Sequence, residues 1–317
     1  MSVADLVPLL PTWQAHVLAF LVGGSYVGSL YVSQNARLTY ESENAVDQAK
    51  ERVRRRDDPD VIRARLTAVT ASTVLSCVVL CGVVYAMLDG PSKSDALSVT
   101  AELLGLRGLH GTLLPCLIAP VLYAGPLYVS YLSESLLPWQ HFWGIDTLIP
   151  NRGQNGAVLQ AIRNYVAAPI TEEVAFRACI LAVYGMSGSS RNKMIFLSPL
   201  WFGIAHVHHG WEVYTRLGRT TFAAQQAAFS VVFQTMYTTL FGFHCAFLFL
   251  RTGSLLPPMA SHVFCNIMGL PDVSDAIARF PRRKLHIIAA HLLGILGYIY
   301  VLRSWTAGIH GVYWPAL

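Results

Sequence analysis

Charged residues are scarce in this sequence of 317 residues. Asp, Glu, Lys and Arg together make up 13% of the chain, whereas soluble proteins have about 25%. Hydrophobic residues make up 54%, and the mean hydropathy is +0.45. This balance argues against a soluble protein. Apolar runs of about 20 residues, the length that crosses a bilayer, indicate a polytopic membrane protein instead.

Several sequence signals are also missing. Residues 1–12 contain no Lys or Arg, so no cleaved signal peptide is predicted, and the first apolar run is predicted to be an uncleaved signal-anchor. The six cysteines form no CxxC pair and show no Cys/His metal spacing, so they are predicted to fill apolar space without disulfides. No internal repeat is visible, which counts against a transporter built from inverted halves.

The apolar runs predict one all-α domain, residues 1–317, in which about eight transmembrane helices enclose a cavity open to the cytosol. The predicted spans are 13–33, 67–88, 112–133, 160–185, 194–209, 222–250, 255–270 and 285–303. The polar segment 34–66 is predicted to be a cytosolic loop. Because most Lys and Arg residues fall on the side of this loop, both termini are predicted to face the lumen. The net charge of +5 then reflects the cytosolic loops and implies no nucleic-acid partner.

The fourth predicted span contains the sequence APITEEVAFRAC at residues 168–179. Ionisable residues inside a membrane segment are costly and usually mark a functional site. Glu173 and Arg177 are four residues apart and can pair on one helix face. Glu172 points about 100° away, which leaves its carboxylate free for another partner. The alternative is that both glutamates are first-turn acids at a helix N-terminus that begins near Pro169.

A second polar motif, FGIAHVHH, ends the fifth predicted span. His206 is predicted to face an internal cavity, while His208 and His209 are predicted to face the interface or support the fold. The three histidines do not share a helix face as the two histidines of a His-x-x-x-His pair do, so a metal site is not favoured.

A third motif, SHVFCN, lies in the seventh predicted span. His262 and Asn266 are four residues apart, so both lie on one helix face and both can donate hydrogen bonds. Two aimed donors are suited to a developing oxyanion, although an interhelical polar clamp is the alternative. The predicted topology places Glu172, His206, His262 and Asn266 at a similar depth on the cytosolic side, which indicates one shared site.

The three motifs together supply a carboxylate, a histidine and two hydrogen-bond donors, but no nucleophilic side chain. A Glu–His pair can deprotonate a water molecule, and the donors can receive the charge on an amide oxygen. Hydrolysis of a peptide bond is therefore the hypothesis. One rival is a serine site at Gly185–Gly188, a G-x-S-G match in a Gly/Ser-rich turn on the predicted luminal side. A zinc site of Glu172, His206 and His262 is less favoured, because the chain has no His-Glu-x-x-His.

The motifs APITEEVAFRAC, FGIAHVHH, AFLFLRTGSLLPP and SHVFCNIMGLPD resemble the type II CAAX prenyl endopeptidases, the Ras-converting proteases of the endoplasmic reticulum. The resemblance covers roughly residues 150–273, which it identifies as the catalytic core. It implies an enzyme without metal or cofactor that removes the C-terminal aaX tripeptide from farnesylated or geranylgeranylated CAAX proteins, such as Ras-like small GTPases. A non-proteolytic scaffold for the same lipidated proteins is the alternative.

The resemblance also implies roles for individual residues and a location. Glu172 and His206 would activate water, and His262 and Asn266 would form the oxyanion hole. Glu173 and Arg177 match the same motif and would support the site. The implied location is the endoplasmic reticulum membrane, in contact with lipid, with the active site facing the cytosol.

Overall fold

The computed structural model describes residues 3–7, 9–39, 54–107, 112–133 and 155–316. Within these ranges the chain is helical, and the β-structure is confined to an isolated bridge between Gly311 and Trp314. The helices of the first half are α1 Val3–Leu6, α2 Thr12–Val32, α3 Pro59–Met87, α4 Ala96–Leu103, α5 Ile118–Leu122 and α6 Ala124–Leu132. Short 3₁₀ turns cover Gln34–Ala36, Gly90–Asp95, Pro115–Leu117 and Pro281–Arg283. The all-α class predicted from the sequence is confirmed.

The helices of the second half begin with α7, which runs continuously over 155–186. They continue with α8 Arg191–Phe196, α9 Pro199–Ala205, α10 His208–Arg216, α11 Thr221–Thr252, α12 Leu256–Met268, α13 Val273–Arg279 and α14 Lys284–Ser304. Local chemistry sets several of these bounds. The Thr220 hydroxyl accepts a hydrogen bond from the Ala223 N–H at the start of α11, and Gly253 ends that helix in the left-handed conformation, at φ 62°.

Four helices of the described chain are long and apolar enough to cross a bilayer, and a fifth span results if the bent pair α5 and α6 is one crossing. In the four long spans only 17% to 33% of the most apolar window is buried inside the protein. Large apolar side chains, such as Phe229 on α11 and Leu293 on α14, therefore point outward. Lipid is the solvent that accommodates such surfaces, so the chain is a multi-pass membrane protein.

The predicted count of eight spans is not confirmed, and the differences have local causes. Span 112–133 bends by 60° between α5 and α6, where Pro126 removes a helix hydrogen bond. Span 194–209 is divided into α8 and α9, because Pro199 starts a new helix. Span 255–270 corresponds to α12, whose 13 residues cover about 20 Å, less than the roughly 30 Å hydrocarbon core.

The predicted polar loop 34–66 is shorter than the sequence suggested. Helix α3 begins at Pro59, with proline in the first turn, so residues 59–66 already belong to a membrane-spanning helix. The part of the loop at 40–53 lies outside the described residues. Arg65 on the first turns of α3 is buried, and its Nε–H donates to the Ala36 carbonyl at 2.9 Å. The start of α3 is therefore anchored to the segment that follows α2.

Helix α7 is the centre of the bundle. It contains α-helical parts Asn155–Ile162, Ala168–Glu173 and Ile180–Met186, joined by π-helical turns at Arg163–Ala167 and Val174–Cys179. Its C-terminal half, from Ala175 to Met186, is buried throughout and packs against α2, α3, α9 and α11. π-turns inside α-helices are frequent at functional sites. The two turns here flank the short α-helical part that carries Glu172 and Glu173.

Two glycines allow α9 and α11 to pack closely. A Cβ atom on Gly203 of α9 would collide with the Thr239 hydroxyl of α11, and one on Gly242 of α11 would lie 2.6 Å from Pro199 Cβ. Close backbone approach at these positions requires the absence of a side chain. Because His206 follows directly after α9, this packing fixes its position against α11.

The two ends of the described chain meet on one face of the molecule. The Val3 N–H donates to the Val312 carbonyl at 3.2 Å, and the Leu10 N–H donates to the Met186 carbonyl at 2.8 Å. Glu172 lies 14 residues before Met186, or about 20 Å along the helix axis. The polar motifs are thus remote from the face where the termini meet.

Candidate active site

A cavity of about 290 Å³ lies beside the middle of α7, and we call it the central cavity. Its walls include the four side chains that the sequence predicts to act on a substrate: Glu172, His206, His262 and Asn266. They come from α7, from the end of α9 and from α12, segments that are far apart in the sequence. The structure brings together the residues that the sequence predicts to share one site.

Glu173 is the buried partner of two basic side chains. Its Oε2 lies 3.3 Å from Arg177 Nε, and neither residue is more than 1% exposed. The pair that the four-residue spacing predicted is therefore present. Glu173 Oε1 also accepts a hydrogen bond from His262 Nδ1–H at 2.7 Å, a contact that the sequence did not predict. Glu173 thus links Arg177 of α7 to His262 of α12.

Glu172 faces the cavity rather than this pair. Its Oε2 lies 3.6 Å from His262 Nε2, which is longer than a hydrogen bond, and its side chain is 20% exposed. As the helix spacing predicted, Glu172 does not join the Glu173–Arg177 pair, although both glutamates approach the His262 ring. Glu172 is the carboxylate of the two that can reach a water molecule or a ligand in the central cavity.

His206 is held in one orientation by its own helix. Its Nδ1–H donates to the Phe202 carbonyl at 2.7 Å, and its ring packs edge-on against the Phe202 ring with centroids 4.7 Å apart. With the proton on Nδ1, Nε2 is the unprotonated nitrogen and can accept a proton. The ring lines the same cavity as Glu172.

Asn266 reaches the cavity from the last turns of α12. Its side-chain Nδ2–H donates to the Asn164 carbonyl at 2.9 Å, and the amide has a second N–H that this bond does not use. Asn164, Ala168 and Glu172 are spaced by four residues, and all three line the central cavity. The cavity thus runs along one face of α7, a face that was not recognised from the sequence.

Phe202 is a further residue whose role the sequence did not reveal. The Arg177 guanidinium lies over its ring at 4.1 Å, and neither Arg177 Nη1 nor Nη2 has a hydrogen-bond partner among the described residues. An aromatic face stabilises a desolvated cation. Phe202 therefore contacts both His206 and Arg177, the buried partner of Glu173. The four-residue spacing between Phe202 and His206 was the sequence signal that could have identified this contact.

The other two histidines of FGIAHVHH support the fold around α10. His208 Nδ1–H donates to the Ala205 carbonyl at 2.6 Å, and His209 Nδ1 lies 3.3 Å from Glu212 Oε2. Burial would raise the pKa of the Glu212 carboxyl, but the hydrogen bond to His209 and the charge of Arg65 lower it to about 2. Glu212 is therefore ionised at physiological pH and paired on both sides.

Metal-binding geometry occurs once among the described residues, at His208, His209 and Glu212, whose ligand atoms lie within 4.8 Å of one another. The zinc set considered from the sequence, Glu172 with His206 and His262, does not form such a group. The Glu212 carboxylate already has the Arg65 guanidinium at 3.5 Å, a cation that competes with a metal ion.

The serine of the G-x-S-G match lies at the far end of α7 from the central cavity. The Ser187 hydroxyl donates to the Tyr184 carbonyl at 2.8 Å and lies 2.9 Å from the Ser189 hydroxyl. These contacts are those of a helix C-terminus. No histidine hydrogen bond to Ser187 is present in the described part of the chain, so the serine-protease alternative has no geometric support.

Comparison with known proteins identifies the family of this chain. A family model, type II CAAX prenyl endopeptidase Rce1-like, matches residues 154–268, a range that contains all the residues of the three motifs. The CAAX prenyl protease 2 of Homo sapiens is 32% identical over 311 residues, which is 96% of this chain and 85% of the human protein. This chain belongs to the type II CAAX prenyl endopeptidase family.

Further members of this endopeptidase family show the same likeness. The CAAX prenyl protease 2 of Arabidopsis thaliana is 32% identical over 73% of this chain and 76% of its own length. The probable CAAX prenyl protease 2 of Schizosaccharomyces pombe is 30% identical over 92% of this chain and 93% of its own length. No solved structure matched the chain. The similarity therefore extends over most of the chain, beyond the 154–268 segment.

Proposed function

We propose that the protein is an intramembrane endopeptidase that cleaves prenylated CAAX proteins after the prenylated cysteine and releases the aaX tripeptide. The observation that carries the proposal is the convergence of Glu172, His206, His262 and Asn266 on one cavity inside a multi-pass bundle. Membership of the endopeptidase family supplies the substrate class.

The nucleophile is a water molecule between Glu172 and His206. His206 Nε2 is unprotonated, because Nδ1–H is used by the Phe202 carbonyl, and the Glu172 carboxylate lies in the same cavity. Together they remove a proton as the water oxygen bonds to the carbonyl carbon of the prenylated cysteine. When the C–N bond breaks, this proton passes to the nitrogen of the departing tripeptide.

His262 and Asn266 stabilise the negative charge that develops on the carbonyl oxygen. Asn266 offers the N–H that does not bind Asn164, and His262 offers Nε2–H. Because Nδ1–H of His262 is donated to Glu173, a proton on Nε2 requires the imidazolium form. The carboxylate oxygens of Glu173 and Glu172 lie 2.7 Å and 3.6 Å from the two nitrogens of this ring.

We assign the enzyme to the endoplasmic reticulum membrane, with the cavity open to the cytosol and with Ras-like small GTPases among its substrates. The positive-inside distribution of Lys and Arg supports the orientation. The lipid-facing helices around the cavity suit a substrate that is anchored to the membrane by its prenyl chain.

The test uses purified protein in nanodiscs and two peptides that differ only in a farnesyl group on the CAAX cysteine. Mass spectrometry should detect the tripeptide from the farnesylated peptide with wild type, and none with Glu172→Ala. Full activity of Glu172→Ala would overturn the site assignment. Binding of the farnesylated peptide without release of a tripeptide would instead indicate a scaffold.

A further inference from the structure

A second cavity opens from the central cavity, and we call it the basic arm. The two share six lining residues: Arg56, Asn164, Ala168, Glu172, Phe202 and His206. Beyond these, the basic arm extends between α2, α3 and α10. Its walls there include the apolar side chains of Leu30, Leu66 and Val69, together with Arg65 and Arg163. A ligand bound at Glu172 can therefore continue into a channel that is lined by both apolar side chains and arginines.

The three guanidinium groups of the basic arm differ in how fully they are paired. Arg163 Nη2 lies 3.0 Å from Asp57 Oδ1, and its Nη1–H and Nε–H donate to the Arg56 carbonyl and the Asn164 side chain at 2.9 Å each. Each of the three Arg163 nitrogens thus has a partner, and the bond to the Arg56 carbonyl holds the Arg56 backbone in place.

Arg65 and Arg56 have donors left. Arg65 uses Nε for the Ala36 carbonyl and has Nη2 at 3.5 Å from Glu212, while its Nη1 makes no hydrogen bond to a described residue. The Arg56 side chain makes no hydrogen bond or ion pair within the described part of the chain. Asp57 and Glu212 pair with Arg163 and Arg65, whereas the Arg56 guanidinium has no carboxylate partner among the described residues.

The other side of the central cavity has a different character. A groove of about 450 Å³ shares Tyr237, Phe241 and Cys265 with the central cavity, and we call it the apolar groove. Its further walls include Phe233 and Leu240, and the groove contains no Asp, Glu, Lys or Arg among its lining residues. Glu172 and His206 thus lie between a cationic channel and an apolar one.

A prenylated CAAX terminus has the same asymmetry. The prenyl chain is attached on the N-terminal side of the cleaved bond, and the other side consists of two aliphatic residues and a residue with a free carboxylate. An extended tripeptide reaches roughly 10 Å, and the nine residues from Arg163 to Glu172 rise roughly 13 Å along α7. The carboxylate of a tripeptide cleaved at Glu172 therefore falls within reach of the Arg163 side chain, and Arg56 and Arg65 line the same cavity.

We infer that the basic arm binds the aaX tripeptide, with Arg56 and Arg65 receiving its C-terminal carboxylate, while the prenyl chain occupies the apolar groove. This assignment rests on the proposed protease function. A guanidinium group binds a carboxylate through two parallel hydrogen bonds, and the apolar walls of the arm suit the two aliphatic side chains. The enzyme thereby recognises a free chain end, which explains how the cut falls three residues from it.

The experiment compares two farnesylated peptides, one with a free C-terminal carboxylate and one with a C-terminal amide. Amidation should raise KM of the wild type about tenfold, which is the loss of one charge-assisted pair, and leave kcat nearly unchanged. Arg56→Gln should raise KM for the acid by about the same factor and change KM for the amide by less than about twofold. Arg56→Lys keeps the positive charge but lacks the planar guanidinium group. Its KM for the acid should fall between the values of wild type and Arg56→Gln.

Arg63→Gln is the matched control, because Arg63 lies on the exposed side of α3 with only Asp60 at 3.2 Å. It should behave as wild type with both peptides. Arg65→Lys tests the second guanidinium without removing its charge, and should raise KM for the acid alone.

The outcomes separate this inference from the protease function itself. Equal KM values for the acid and the amide in the wild type would overturn the carboxylate subsite while leaving the protease intact. That result would also be expected if the basic arm held the prenyl chain. A wild type that cleaves neither peptide would overturn the proposed function, and the subsite with it.

Discussion

His262 donates Nδ1–H to Glu173 at 2.7 Å, and this bond directs Nε2 of the same ring toward Glu172 at 3.6 Å. One imidazole thus lies between two adjacent glutamates that have different environments. Glu173 is fully buried against Arg177, whereas Glu172 borders the cavity. The two carboxylates should therefore differ in what their removal does.

Glu172→Gln should remove activity and keep the fold. The substitution retains the size of the side chain but abolishes its capacity to accept a proton from water, so the rate of tripeptide release should fall by about 10²–10⁴. The thermal unfolding temperature in detergent should stay within about 2 °C of wild type. A variant that keeps more than a tenth of the rate would contradict the role of Glu172 as base.

Glu173→Gln should instead destabilise the protein. It leaves the buried Arg177 charge without its counterion, a change that costs about 3–5 kcal/mol in buried pairs. The unfolding temperature should drop, and the double variant Glu173→Gln/Arg177→Met should recover part of the loss. If Glu173→Gln were as stable as wild type, the pair would not support the fold.

Asn266→Ala tests the oxyanion hole. Loss of one preorganised donor typically lowers kcat by about 10²–10³, and KM should change little because the donor acts mainly in the transition state. Steady-state kinetics on a farnesylated peptide would resolve the two constants. The Asn266 amide also donates to the Asn164 carbonyl. Asn266→Gln, which keeps an amide group in a longer side chain, is therefore the control. A rise in KM with kcat unchanged would indicate a substrate-binding residue instead.

Gly203→Ala should lower kcat without touching a polar group of the site. The added methyl group would collide with the Thr239 hydroxyl, so α9 would move away from α11 and carry His206 with it. Thr239→Ala should restore part of the activity, and should itself be tolerated, because the Thr239 hydroxyl is buried without a hydrogen bond. Gly82→Ala, at a position with open space, is the matched control. Activity equal to wild type in Gly203→Ala would show that the close packing does not position His206.

Chelators should leave activity unchanged. Water activation by Glu172 and His206 needs no Lewis acid, so prolonged treatment with a strong chelator should not slow tripeptide release. Loss of activity that stoichiometric zinc restores would revive the zinc alternative and return His206 and His262 to the role of ligands.

The sequence predicted local contacts around the candidate site more closely than it predicted the spans. Spacing of four residues was enough to pair Glu173 with Arg177 and to separate Glu172 from them, because helix geometry fixes which side chains share a face. The contact between Glu173 and His262 joins segments 89 residues apart, and no local rule predicts it. The basic arm was missed for a similar reason. Arg163 lies inside a predicted span, but Arg56 and Arg65, which line the same cavity, come from a distant part of the sequence.

The predicted count of eight spans is not confirmed, and the described helices differ from it where tertiary packing replaces lipid. Helix α12 is too short to cross a bilayer, yet its His262 and Ser261 are buried by α7 and α11. Hydropathy measures only how well a segment suits an apolar solvent, and it does not separate a helix that faces lipid from one that faces protein. Proline supplied the breaks at Pro126 and Pro199, which an average over a window of 20 residues conceals.

The two π-turns of α7 have a consequence for how this helix tolerates change. Each π-turn accommodates one residue more than an α-turn, so the six residues Ala168–Glu173 are rotated relative to the helix on both sides. Deleting a single residue from either turn would restore α-geometry and swing Glu172 by about 100°. A membrane helix usually accepts small changes of length by tilting or sliding. This one keeps the Glu172 carboxylate in register with the cavity only while both extra residues remain.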